Sequence, residues 1–112
     1  MTESQNDLFF SPEELATEAR NLFSQHYNCA QSTFEPFARR LGMDSDLAFR
    51  IATPFGGGMG HAGQVCGAVS GGLMAIGLVR GITFYDEEQK YACYHLARRF
   101  QDHFQDLHGS LT

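Results

Sequence analysis

Residues 55–72 read Phe-Gly-Gly-Gly-Met-Gly-His-Ala-Gly-Gln-Val-Cys-Gly-Ala-Val-Ser-Gly-Gly. Eight of the seventeen residues from 56 to 72 are glycine. Glycine loses more backbone entropy on folding than any other residue, so this density needs a local reason. Either the backbone adopts left-handed conformations here, or another segment packs so closely that no Cβ fits.

The stretch changes character at Val65, where an apolar segment with a helical period begins and places Cys66 in the first turn. Unpaired N–H groups and the positive end of a helix dipole at that place favour a thiolate over a thiol. Cys66 is therefore the first candidate for chemistry.

The rest of the chain carries start and stop signals for helices only. Asn28 with Gln31 forms a capping-box pattern that puts Cys29 at the first position of a helix, and Asp86 begins another such pattern. We therefore predict an all-α, single-domain bundle of about five helices, with a glycine-rich loop before the fourth. Residues 1–10 are predicted to be a flexible tail and residues 11–112 the domain. The predicted helices cover residues 11–26, 29–42, 44–53, 65–80 and 87–107.

Three features inside these helices lead to predictions about packing. Pro36 lies within the second helix and should kink or split it. Small residues at positions 67, 70 and 71 lie on one face of the fourth helix and allow another helix to approach closely. The second helix is the best partner, because that packing brings Cys29 and Cys66 to neighbouring helix ends. The fifth helix is the longest, and its apolar stripe makes it the predicted framework helix.

Composition excludes several classes of protein. The net charge of −5 and the lack of a basic run argue against nucleic-acid binding. The apolar segment of residues 65–79 is shorter than the roughly 20 residues that span a bilayer. The N-terminus lacks the pattern of a secretory signal. Three widely spaced cysteines do not form a disulfide framework, so we predict a soluble cytoplasmic protein that keeps its thiols for redox or metal chemistry.

Three segments taken together resemble the C_GCAxxG_C_C family of redox-active proteins. The likeness covers residues 19–112. It implies a small helical protein with four cysteines, often encoded near transporters, and related to a domain of the split-Soret cytochrome in which an iron–sulfur cluster has been inferred. The segments that carry it are Tyr27-Asn28-Cys29-Ala30-Gln31, Phe55-Gly56-Gly57-Gly58-Met59-Gly60 and Cys66-Gly67-Ala68-Val69-Ser70-Gly71.

The resemblance assigns Cys29 and Cys66 to the first two cysteines of the family, as catalytic thiols or metal ligands. The sequence departs from the family pattern at Thr112, because it stops at the place where a third cysteine is expected. Cys93 matches neither remaining position and is predicted to be a core residue. The predicted cofactor-binding residues are Gly56, Gly57, Gly58, Gly60, Gly67, Ala68 and Gly71.

The glycine loop allows three interpretations. Residues 58–63 satisfy the GxGxxG pattern of dinucleotide-binding folds, but a helix rather than a strand is predicted before them. The loop could form a nest of N–H groups for an anion, sulfide or thiolate. It could also be a tight loop that lets the second and fourth helices close up. His61 is either a metal ligand or proton acceptor for Cys66, or an exposed loop residue.

The predicted function is redox, with Cys29 and Cys66 acting either as a thiol pair or as ligands of an iron–sulfur or other metal site in electron transfer. If the two cysteines bind a metal site, a second subunit or further chain is needed to complete the ligand shell. The alternative is a non-catalytic interaction module whose glycine-rich surface docks a partner. The predicted partners are a redox protein, a transporter component or a second copy, with no nucleic acid. Ordinary burial of both cysteines is the competing structural interpretation.

Overall fold

The computed structural model describes residues 11–112 and contains five α-helices and no strand in that range. The predicted tail, residues 1–10, lies outside the described residues. Short 3₁₀ and helical turns, Thr53–Phe55 and Gly56–Met59, follow the third helix. The helices are α1 (Pro12–Ser24), α2 (Cys29–Arg40), α3 (Ser45–Ala52), α4 (Gly67–Arg80) and α5 (Glu87–His108).

The ends of the helices follow the predicted capping chemistry. Asp44 accepts a hydrogen bond from the N–H of Leu47 at the start of α3, and Asp86 accepts one from Gln89 at the start of α5. Gly42, at φ +95°, ends α2 in a Schellman arrangement, in which the N–H of Met43 donates to the carbonyl of Ala38 at 2.9 Å. Polar residues at the helix ends therefore set most of the element boundaries.

Helix α2 is the centre of the molecule. It packs against α1, α3 and α4, and its contact with α4 is the most extensive of any helix pair. The central cluster of the core is built from small residues of α2 and α3, with Phe34 as its one large side chain. The core cluster consists of Ala30, Phe34, Ala38, Ala48 and Ala52.

Pro36 does not split α2, so that part of the prediction is wrong. The helix runs unbroken from Cys29 to Arg40, and Pro36 is fully buried inside it. Burial of the ring among the surrounding helices offsets the backbone hydrogen bond that a proline cannot donate. Nearby, the buried carboxylate of Glu35 accepts hydrogen bonds from Arg39 at 3.1 Å and from Ser45 at 2.7 Å, which ties α2 to α3.

The prediction that α5 is the framework helix is also wrong. None of its residues is buried, and it packs chiefly against α4. An apolar cavity of about 510 Å³ lies between α5 and the α2–α4 pair, and its walls include Phe100 and Phe104. The apolar stripe of α5 therefore touches the bundle without being enclosed by it.

Candidate functional site

The start of α2 positions Cys29. Asn28 accepts a hydrogen bond from the N–H of Gln31 at 2.8 Å, and the side chain of Gln31 accepts one from the N–H of Asn28 at 3.0 Å. This is the complete capping box that the sequence predicts, and it places Cys29 at the first helical position. The backbone around the thiol is therefore fixed.

The same two side chains also connect α2 to the end of α3. The amide of Asn28 donates to the carbonyl of Thr53 at 3.1 Å. The amide of Gln31 donates to the carbonyl of Phe49 at 3.1 Å and to the hydroxyl of Thr53 at 2.9 Å. The sequence predicts the cap but not these hydrogen bonds to the end of α3, because their acceptors lie more than fifteen positions away in the chain. Asn28, Gln31 and Thr53 are thus positioning residues for the site.

Both explanations for the glycine content of the loop apply: the backbone is left-handed, and other segments pack closely against it. Five consecutive residues, 57–61, have φ between +62° and +75°, so the chain makes a left-handed turn. Met59 and His61 adopt this conformation despite their side chains, which is unfavourable for L-residues. A Cβ on Gly58 would lie 2.8 Å from the backbone nitrogen of Gln64, and one on Gly56 would collide with the side chain of Asn28. The loop is therefore packed against Asn28, the N-cap residue of α2 that directly precedes Cys29.

The backbone of the loop is largely satisfied internally. The N–H groups of residues 60–64 donate to loop carbonyls; for example, His61 donates to Gly56 at 3.0 Å and Gln64 to Gly58 at 3.0 Å. These five groups are not available to form a nest for an anion. The dinucleotide interpretation is excluded as well, because the element before the loop is a helix followed by a 3₁₀ turn.

Cys66 lies at the start of α4. It is the N-cap of that helix, one position before the first turn in which it was predicted, and its side chain makes no capping hydrogen bond. The N–H of Cys66 donates to the carbonyl of Leu111 at 2.7 Å. The segment after α5 therefore returns to the site, a contact that no local sequence signal indicates.

Two glycines bring the ends of α2 and α4 together. A Cβ on Gly67 would lie 2.8 Å from the backbone nitrogen of Ala30 and 3.0 Å from the Cβ of Cys29. A Cβ on Gly71, one turn further along, would lie 2.8 Å from the carbonyl oxygen of Ala30. The predicted close approach of these helices is confirmed. Gly67 follows Cys66 directly, so the same contact brings the two cysteines to adjoining helix tips.

The pKa of Cys29 depends on its burial and on the neighbouring Cys66. Burial raises the pKa of the Cys29 thiol, the negative charge of an ionised Cys66 raises it further, and a hydrogen bond at the backbone of Cys29 opposes both effects. Both cysteines are half-buried and free, so they form no disulfide in this state. The site therefore holds two neighbouring reduced sulfurs, of which Cys29 is held as the protonated thiol.

The donor set does not fit a four-ligand metal centre. Among residues 11–112, no group of three or more His, Cys, Asp or Glu side chains is arranged to hold a metal ion. His61 is exposed, and its imidazole ring packs on the backbone of Gly57. Cys93 is half-buried on α5 and lines a small groove with Arg80 and Leu96. A shell of four thiolates cannot be assembled from the described residues.

The fold and the site define a class: small all-α proteins that hold two thiols at the tips of a glycine-packed helix pair. A family model described as "Putative redox-active protein (C_GCAxxG_C_C)" matches residues 27–112, and the chain belongs to this family. Neither the search of curated proteins nor the search of solved structures finds a match. In the described part of the chain, no helix has both the length and the apolar composition required to cross a membrane.

Proposed function

We propose that the protein is a dithiol–disulfide redox protein in which Cys29 and Cys66 form a reversible disulfide. The observation that carries this proposal is the contact of the helix tips at Gly67, which leaves Cys29 close enough to Cys66 for their charges to interact. A disulfide requires Cα atoms within about 7 Å, which adjoining helix tips can supply. Membership of a redox-active family supports the same function.

The two sulfurs have different roles. Burial and the charge of an ionised Cys66 raise the pKa of Cys29, so Cys29 is the sulfur that stays protonated, and the first attack is assigned to Cys66. The thiolate of Cys66 attacks a disulfide of the oxidising partner, forms a mixed disulfide and releases one partner thiolate. Cys29 then loses its proton and attacks the sulfur of Cys66, which releases the second partner thiolate and closes the Cys29–Cys66 disulfide.

Mild oxidation tests this function. The full chain with Cys93→Ser is treated with diamide, and intact mass and peptide mapping are recorded. We expect a loss of two hydrogens and a Cys29–Cys66 cross-linked peptide, and neither in Cys29→Ser or Cys66→Ser. Intermolecular disulfides alone, or no cross-link while both thiols stay reactive to iodoacetamide, would contradict the proposal.

An iron–sulfur or other metal site with Cys29 and Cys66 as ligands stays a prediction. At this site the described residues supply only two thiolate ligands, so further ligands would have to come from another chain. Iron, sulfide and zinc analysis of protein purified without oxygen tests it. Stoichiometric iron and sulfide with visible absorbance would replace the dithiol proposal by an electron-transfer one.

A cytoplasmic, reducing location suits a protein that cycles between thiol and disulfide. A redox protein remains the proposed partner, and a transporter component or a second copy are the alternatives. In the interaction-module alternative, the exposed glycines 57, 60 and 63 face a docked partner. Cellular function that survives replacement of both Cys29 and Cys66 by alanine would favour that alternative.

A further inference from the structure

A groove opens beside Cys29 on the side facing α1. Its volume is about 360 Å³, and Cys29 lines it while Cys66 does not. Other walls are formed by Ala19, Arg20 and Phe23 of α1, Ser32 of α2 and Ala68 of α4. A small molecule in this groove would therefore meet the sulfur of Cys29 first.

Ser32 gives the groove an unsatisfied polar group. The residue is 4% exposed, and its Oγ has no hydrogen-bond partner among the residues that the structure describes. Ser32 follows Cys29 by three positions, so both lie on one face of α2. Pro36 has no N–H, so the carbonyl of Ser32 also lacks its usual helical donor. Buried hydroxyls nearly always have a partner, and a ligand in the groove would supply one.

The remaining walls indicate the rest of the ligand. Ala19, Phe23 and Ala68 present apolar surface. Arg20 is exposed at the rim, donates to the hydroxyl of Thr17 at 3.3 Å, and forms no ion pair within residues 11–112, whereas Arg39 and Arg40 are both paired with Glu18. A guanidinium in this setting suits a carboxylate.

We propose that this groove binds small organic thiols with an apolar body and a carboxylate, and that such thiols reduce the Cys29–Cys66 disulfide by attack at Cys29. This inference rests on the proposed function, since it begins from that disulfide. The sulfur of the ligand reaches Cys29 and accepts a hydrogen bond from the hydroxyl of Ser32, its apolar body lies along Phe23, and its carboxylate reaches Arg20.

The reaction balances in two exchanges. The thiolate of the first ligand bonds to the Sγ of Cys29, the Cys29–Cys66 bond breaks, and its electron pair stays on Cys66 as a thiolate. A second ligand thiolate attacks the ligand sulfur of the mixed disulfide, and Cys29 leaves and takes up a proton. Two thiols are oxidised to one disulfide, and the protein disulfide is reduced to two thiols.

The direction of attack agrees with the properties of the two cysteines. Because burial raises the pKa of Cys29, its thiolate is the poorer leaving group. Attack at Cys29 expels Cys66 and leaves the poorer leaving group, Cys29, bonded to the ligand sulfur. The oxidising partner and the reducing thiol therefore use different sulfurs of one site.

Matched thiols test the proposal. The oxidised full chain, with Cys93→Ser, is reduced by mercaptohexanoate or by mercaptohexanol, which differ only in the terminal carboxylate, and second-order rates are followed by quenched alkylation. We expect mercaptohexanoate to react about threefold faster, because the ion pair of its carboxylate with the exposed Arg20 contributes a modest free energy. Arg20→Gln should abolish that preference, and Arg98→Gln, on the outer face of α5, should preserve it.

Ser32→Ala is compared with Ser45→Ala, which removes a hydroxyl outside the groove that already donates to the carboxylate of Glu35 at 2.7 Å. Ser32→Ala should slow the reaction of both thiols about fivefold, which is the worth of one hydrogen bond, and leave the urea midpoint unchanged or raised. Ser45→Ala should leave both rates unchanged. Equal rates for the two thiols, or equal effects of the two serine variants, would overturn this inference. Failure to form the Cys29–Cys66 disulfide would instead overturn the proposed function.

Discussion

Helices α2 and α5 have similar apolar stripes in sequence but very different surroundings. Three helices enclose α2, and six of its twelve residues are buried. None of the 22 residues of α5 is buried, and a cavity of about 510 Å³ separates part of it from the bundle. The contrast teaches that an apolar stripe shows which face of a helix turns inward, but not how much of that face is covered. The stability of the site should therefore depend on α2 and its partners far more than on α5.

The same substitution in both helices tests this contrast most directly. Phe34, which is 2% exposed, fills the centre of the core, so Phe34→Ala should cost about 3–5 kcal/mol of unfolding free energy. Phe104→Ala on α5 removes a half-buried ring and should cost about 1–2 kcal/mol. Urea unfolding of both variants measures the difference. Equal losses would mean that α5 belongs to the core as fully as α2 does.

The glycines of α4 provide a second comparison, between its two faces. Gly71→Ala places a methyl group 2.8 Å from the carbonyl oxygen of Ala30 and should cost about 2–3 kcal/mol, because the two helix backbones must separate. Gly77 has open space at its Cβ position, so Gly77→Ala is the matched control and should stabilise the protein by about 0.5–1 kcal/mol.

The yield of Cys29–Cys66 disulfide after oxidation should fall in Gly71→Ala and stay unchanged in Gly77→Ala. A normal yield in Gly71→Ala at full stability would show that the close helix contact is unnecessary for the thiol pair.

The contact of α1 with α2 should give the smallest effect, and one that depends on pH. Glu18 pairs with Arg40 and Arg39, and hydrogen bonding from Arg40 lowers the pKa of Glu18. Because the folded pKa lies below the unfolded one, the pair stabilises the fold above the ordinary glutamate pKa of about 4.3. That stability is lost as the pH falls through the folded value.

Glu18→Gln should therefore cost about 1 kcal/mol at pH 7 and nothing once the wild-type carboxyl is protonated. The exposed Glu14, 4.0 Å from Arg40, serves as the control. Urea midpoints between pH 7 and pH 3 follow the effect, and a Glu18→Gln penalty that is independent of pH would contradict it.

Local chemistry explains which parts of this structure the sequence could predict. Caps such as Asn28 and Asp44 act over three residues, so their patterns predict helix starts reliably. Gly71 lies inside α4, where glycine is unfavourable, and Gly67 begins that helix; the close approach of the α2 backbone explains both. The predicted left-handed loop and the predicted pairing of the second and fourth helices follow from the same reasoning.

The remaining features depend on tertiary placement. The second role of Gln31, the contact of Leu111 with Cys66 and the unsatisfied hydroxyl of Ser32 all arise between segments far apart in sequence. The local rule for Pro36 was overridden by burial. In the site, residue chemistry could identify the two cysteines, but the groove beside Cys29 could be recognised only once α1 was in place.

The contact between Leu111 and the backbone of Cys66 has a practical consequence for how the protein is produced. A polyhistidine purification tag appended after Thr112 would emerge beside Cys66, and imidazole together with thiolate is a good ligand set for zinc. Such a tag could assemble an artificial metal centre or shield the sulfurs from reagents. Metal content and thiol reactivity are best measured on protein with a cleavable N-terminal tag.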